Sequence, residues 1–119
     1  MKKKIKISKR EIYCLCMAFS CFILIIGGIL NLKVINSNNC LMPVYNFPMA
    51  DSSDTHFSFV NKTEISYWYL SDIINLKFTI ISVGDILAMV GYAMLLFFCF
   101  KYTSNRILER RKLNKILIS

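Results

Sequence analysis

The sequence predicts an all-α membrane protein, a two-span transmembrane helical hairpin with an extracytoplasmic interfacial or re-entrant helix between the spans. Three observations predict it. Two apolar blocks, Ile12 to Leu32 and Ile80 to Phe100, run for 21 residues each, and Asp85 is the sole formal charge in either. At about 1.5 Å of rise per residue, each block covers a hydrocarbon core of about 30 Å. The basic residues stand outside the blocks: residues 1–11 and 101–119 carry a net +5 each, and everything between them carries −2. Hydrophobic residues make up 55% of the 119, with a mean hydropathy of +0.49, and they are gathered in the blocks rather than spread.

Residues 1–11, with Lys2, Lys3, Lys4, Lys6, Lys9 and Arg10 against Glu11, form a basic cytoplasmic N-terminus under the positive-inside pattern. Residues 12–35 are the first transmembrane helix. The same basic start could lead a cleaved signal peptide, but such peptides have a shorter apolar stretch and small residues at the cleavage site. Here the block ends in Asn31-Leu32-Lys33, and a second span follows, so the helix is read as uncleaved. Residues 36–64 are polar and broken by Pro43 and Pro48, and read as an extracytoplasmic loop. Residues 65–79 are apolar, with Asp72, Asn75 and Lys77 set in. They are too short and polar to span, and are expected to form the interfacial helix, anchored by Tyr67, Trp68 and Tyr69. Residues 80–101 are the second transmembrane helix, and 102–119 a basic cytoplasmic tail. An Ile-, Lys- and Asn-rich composition adds a bacterial origin. The expected location is thus the bacterial cytoplasmic (inner) membrane, multi-pass, with the N-terminus and C-terminus inside.

The charge of +8 is placed for topology and for anionic lipids at the basic flanks, so no nucleic-acid partner is expected. Four of the five cysteines, Cys14, Cys16, Cys21 and Cys99, fall in or beside apolar blocks. They read as small apolar residues rather than a disulfide framework. Asp51-x-x-Asp54-x-His56 fits no strong metal template, and no metal or cofactor is expected. A single histidine removes most general-base schemes.

Two aspartates carry the chemistry that remains, Asp72 in Ser71-Asp72-Ile73-Ile74 and Asp85 in Gly84-Asp85-Ile86-Leu87. Both fall near the outer boundary. Brought together, two carboxylates can share a proton and perform acid–base hydrolysis. The structural reading gives each a local partner instead: Lys77 or a helical turn for Asp72, and for Asp85 the side chain of Asn31, which stands at the same depth in the first span. Ser20, Gly27 and Asn31 share a face of the first helix, and Gly84, Ala88 and Gly91 form a small-residue stripe on the second. Such faces let transmembrane helices approach closely, and these are the expected packing residues.

The strings Asn31-Leu32-Lys33-Val34-Ile35, Asn38, Met42-Pro43-Val44, Tyr69-Leu70-Ser71-Asp72-Ile73-Ile74 and Ile81-Ser82-Val83-Gly84-Asp85-Ile86-Leu87, with Gly91, follow one another in an order that resembles a family of uncharacterised bacterial membrane proteins, domain of unknown function 5317. The resemblance covers about Gly27 to Phe98, and the Met-Pro and Ser-Val-Gly-Asp pieces are the specific ones. It implies an integral membrane protein with Asp72 and Asp85 as family features, and it implies no reaction. Members of that family are usually longer, so this chain reads as a shortened one, and Ser71 stands where the family has glycine.

The expected function is a non-enzymatic membrane binding or assembly component, with the lipid bilayer and either its own copies or another membrane protein as partners. The alternatives are an interfacial membrane hydrolase using Asp72 and Asp85, and a small holin-like pore former, which the long connection between spans disfavours.

Overall fold

A computed structural model describes residues 7–46 and 54–118. Two helices dominate it, α1 (Lys9–Ser37) and α2 (Val83–Ile118), about 43 and 54 Å long at the usual rise. Both are long and apolar enough to cross a membrane. α1 opens on a capping box. The Ser8 hydroxyl accepts from the Glu11 amide at 3.3 Å, and the Glu11 carboxylate accepts from the Ser8 amide at 2.6 Å, so two amides of the first turn are satisfied at once. These bonds also hold the Glu11 carboxyl below its usual range. α1 ends where Asn39 and Cys40 turn into the left-handed region (φ 54° and 61°) and the Cys40 amide donates back to Ile35 O at 3.0 Å.

The helices run antiparallel. Arg10 pairs with Glu109 at one end; then Met17 Sδ meets Cys99 Sγ at 3.4 Å, Ser20 meets Gly91, and Gly27 meets Gly84 and Ala88. The buried residues of α1 are Ser20, Gly27 and Val34, each seven apart, and Gly84 and Gly91 of α2 are buried at the same interval. A repeat of seven keeps one seam facing the partner when two helices coil gently around each other. The seam is made of small residues. The bulky ones, Phe19, Phe22, Ile25 and Ile29 on α1 and Met89, Leu96, Phe97 and Phe100 on α2, face outward.

Between the helices the chain builds a small head. Strand β1 (Met42–Tyr45) pairs in parallel with β2 (His56–Phe59), Met42 opposite His56 and Tyr45 opposite Phe59. On the other edge of β1, Asp72 forms an isolated parallel bridge to Val44. Its amide donates to Pro43 O at 3.1 Å, and its carbonyl accepts from the Tyr45 amide at 2.9 Å. Val34 from α1, Met42, Val44 and Phe59 form the buried apolar centre. Asn38 ties the head to α1. Its side-chain amide donates to Val34 O (2.7 Å) and Ser66 O (2.9 Å), and its oxygen accepts from the Ser66 amide (3.1 Å).

Several expectations are corrected here. Residues 65–79 do not form a helix. They make one 3-10 turn, Trp68–Leu70, and strand β3 (Ile74–Asn75), which pairs in a hairpin with β4 (Ile80–Ile81), two residues expected to open the helix over 80–101, which begins only at Val83. Tyr67 sits at φ 56° and Ser71 is extended, so no helix passes through either, and the β-branched run Ile73, Ile74, Thr79, Ile80, Ile81 suits strands. The chain is mostly helical, as the all-α hairpin expectation has it, but two short two-stranded sheets stand between the helices among the described residues. Residues 36–64 are not simply loop either: the last residues of α1, β1, β2 and a second 3-10 turn, Lys62–Glu64, fall within them. In addition, α2 continues without a break through Lys101 to Ile118, so the tail is an extension of the second long helix.

Candidate functional site at the mouth of the hairpin

The first turn of α2 is built from Ser82 and Asp85. The Ser82 hydroxyl accepts from the Asp85 amide at 3.0 Å, and the Asp85 carboxylate accepts from the Ser82 amide at 2.9 Å, the reciprocal arrangement that starts α1. Asn31 enters from α1, its side-chain amide donating to Asp85 Oδ1 at 2.7 Å. The single Ser82 hydroxyl proton has two acceptors in reach, Asp85 Oδ2 at 2.8 Å and Asn31 Oδ1 at 2.9 Å. Ser82 is fully buried. Glycine at 84 is required beside this knot, because a Cβ there would overlap the Asn31 side chain.

Asp72 lies in the head next to this network, held by its two backbone bonds to β1. It is only 6% exposed. Its Oδ2 is 3.7 Å from His56 Nε2, too long for a hydrogen bond, and His56 Nδ1 meets Thr55 Oγ1 at 2.7 Å. Its Oδ1 is buried without a hydrogen-bond partner among the described residues. Burial, and secondarily the charge of Asp85, raise the Asp72 carboxyl to about 6. Loss of hydration penalises the ionised form, and a second carboxylate adds repulsion. A carboxyl so placed exchanges a proton near neutral pH, which an ordinary surface aspartate does not.

The aromatic triplet is partly covered from within. Lys33 Nζ sits 4.5 Å from the Tyr67 ring centre, and Lys62 Nζ lies 4.4 Å from that of Trp68 and 4.9 Å from that of Tyr45. Such stacking holds a cation against a ring face. Tyr69 stands edge-on to both neighbouring rings and remains 53% exposed.

The structure therefore brings Asn31 to Asp85, Ser20 to Gly91, and Gly27 to Gly84 and Ala88. It does not pair Asp72 with Lys77, and Asp72 starts no helical turn. Asp51 lies outside the described residues, Asp54 is exposed, and His56 is turned toward Asp72. Among the described residues no three His, Cys, Asp or Glu side chains converge as a metal centre. Sequence reasoning missed Ser82, although Ser82-x-x-Asp85 spells a capping box. It also missed the roles of Asn38, Lys33 and Lys62, and it drew no link between His56 and Asp72. No local signal reveals His56, since its position depends on strand pairing.

Residues 12–97 match the model of a family of unknown function, DUF5317. No curated protein and no solved structure matches the chain. The matched span takes in both helices through the seam, the head and the knot at Asn31, Ser82 and Asp85, and the chain belongs to the DUF5317 family.

Proposed function

We propose that this protein is a two-span component of the bacterial cytoplasmic membrane that acts by binding, with the head outside, both ends inside, and its own copies or another membrane protein as partner. The observation that carries the reading is the inverted packing of the helix pair. Small and polar residues, Ser20, Gly27, Asn31, Gly84 and Gly91, fill the seam, while large apolar side chains face outward along both helices. Water penalises such a surface and lipid does not. The ends of the helices support the orientation: Lys9 and Arg10, with Arg106, Arg110, Arg111, Lys112 and Lys115 on the extension of α2, suit anionic lipid headgroups at a cytoplasmic face. Tyr69, exposed beside its two neighbours, suits the opposite boundary.

The test uses Cys40, which is exposed in the head. A chain in which Cys14, Cys16, Cys21 and Cys99 are replaced by serine is treated with a membrane-impermeant maleimide on intact cells. Cys40 should be labelled without lysis. Labelling only after lysis would reverse the orientation, and release of the protein by alkaline carbonate would end the spanning reading.

A second reading, an interfacial hydrolase, is favoured by one observation, the buried Asp72 carboxyl raised to about 6. A carboxyl poised in that range with a second aspartate nearby has the properties of a general acid. Under this reading Asp72→Asn and Asp85→Asn both abolish function in cells while the protein still accumulates. A binding component tolerates at least one of them and retains its partner on purification.

A further inference from the structure

We propose that the β3–β4 hairpin is a membrane finger, whose tip, Leu76 to Phe78, inserts into the outer headgroup boundary of the bilayer. The proposal rests on the spanning reading above and adds a contact that the aromatic triplet was expected to supply. Phe78 is 98% exposed and Leu76 49%, with Lys77 between them. Tyr67 and Trp68, by contrast, are occupied by Lys33 and Lys62. The finger is continuous with the second span: β4 ends at Ile81 and α2 begins at Val83, so Phe78 lies within about 18 Å of the first residue of α2 along even a fully extended chain.

The backbone of the tip permits insertion. The Leu76 amide donates to Thr79 O at 2.9 Å, the Lys77 amide to Asn75 Oδ1 at 2.8 Å, and the Phe78 amide to Leu76 O at 2.9 Å. Three consecutive donors are satisfied inside the turn. Turns in water are bonded in this way too, and here the bonds let the tip leave water without stranding a backbone donor. The turn also holds Lys77 at φ 68°, a left-handed position where glycine or asparagine is the usual occupant. A lysine between two apolar side chains there can reach back to lipid phosphates while its neighbours enter the apolar layer.

The experiment follows tryptophan emission in nanodiscs of phosphatidylcholine and phosphatidylglycerol, using lipids that carry a quencher either near the headgroup or near the end of the acyl chain. The full-length chain carries Trp68→Phe, so that Phe78→Trp becomes the reporter; Leu96→Trp, on the outward face of α2, serves as the control. Emission from Phe78→Trp should be quenched roughly twofold or more by the shallow label, which samples the depth of about 5–10 Å that interfacial segments reach, and little by the deep one. Quenching of the control by lipid, with Phe78→Trp untouched by both labels and open to acrylamide, overturns the finger and leaves the spans standing. Shielding of Phe78→Trp from acrylamide and lipid labels alike would mean a protein contact, and also overturns it. If neither reporter is quenched by lipid, the spanning reading fails, and the finger with it.

Discussion

Replacing Asp72 with asparagine keeps the shape of the side chain and removes its charge. In the native head this carboxyl is raised from 3.8 to about 6, so between those two values the folded head holds a proton that the unfolded chain has released. Stability therefore falls as pH rises through that window, and the loss is complete above the folded value. A difference of about 2 units at 1.36 kcal/mol each sets the penalty near 3 kcal/mol, about a 100-fold change in an equilibrium constant. The amides of Tyr45 and Asp72 report it, because each closes a bond across the bridge that carries Asp72. Hydrogen exchange of the purified protein, corrected for the intrinsic pH dependence of exchange, should show protection at these amides dropping about 100-fold between pH 4 and pH 7. In Asp72→Asn the profile should be flat over the same range, and at pH 7 the variant head should be the better protected. A native profile as flat as that of the variant would refute the argument, because it would mean that water or a partner already satisfies the Asp72 carboxylate.

The seam gives three further predictions. Gly27→Ala places a Cβ 2.5 Å from Gly84 O and 2.8 Å from Ala88 N, and should cost about 1–3 kcal/mol in unfolding by a denaturing detergent; Gly28→Ala, whose Cβ meets nothing within 4 Å, should leave the midpoint unchanged. Asn31→Ala removes the donor to Asp85 Oδ1 and the second acceptor for the Ser82 hydroxyl, and should destabilise the pair by about 1–3 kcal/mol in the same assay. Met17→Cys, in a chain retaining Cys99 as its only other thiol, should form an intramolecular disulfide on mild oxidation, since the two side chains meet across the helix pair; a cross-link only between two chains would show that the hairpin is open.

What the sequence made legible follows from how much each feature depends on distant pairing. The two long helices need only length and apolar side chains, and both quantities are local. The meeting of Asn31 and Asp85 was within reach as well, because antiparallel helices of similar length bring equal depths together. The head was not. Residues 65–79 have aromatic and apolar side chains without a clear period, so their composition suits a turn and hairpin as well as a helix. Tyr67 and Lys77 adopt left-handed φ with side chains that do not advertise it. Asp72 owes its burial to β1, some thirty residues earlier in the chain, and no spacing rule links the two. The same holds for His56, which reaches Asp72 because β2 lies against β1.

The two helices are joined by a polar rung at each end, Asn31 to Asp85 and Arg10 to Glu109. Along α1 these rungs stand about 32 Å apart, close to the thickness of the hydrocarbon core. Between them the helices meet through glycine and serine, with Met17 against Cys99. The two rungs differ in kind: Asn31 and Asp85 are part-buried, whereas Arg10 and Glu109 are about half exposed and hold each other only weakly in water. Glu109 is nine residues short of Ile118, so about 14 Å of α2 extends past the Arg10 rung as an arm that carries Arg110, Arg111, Lys112 and Lys115 beyond the helix pair.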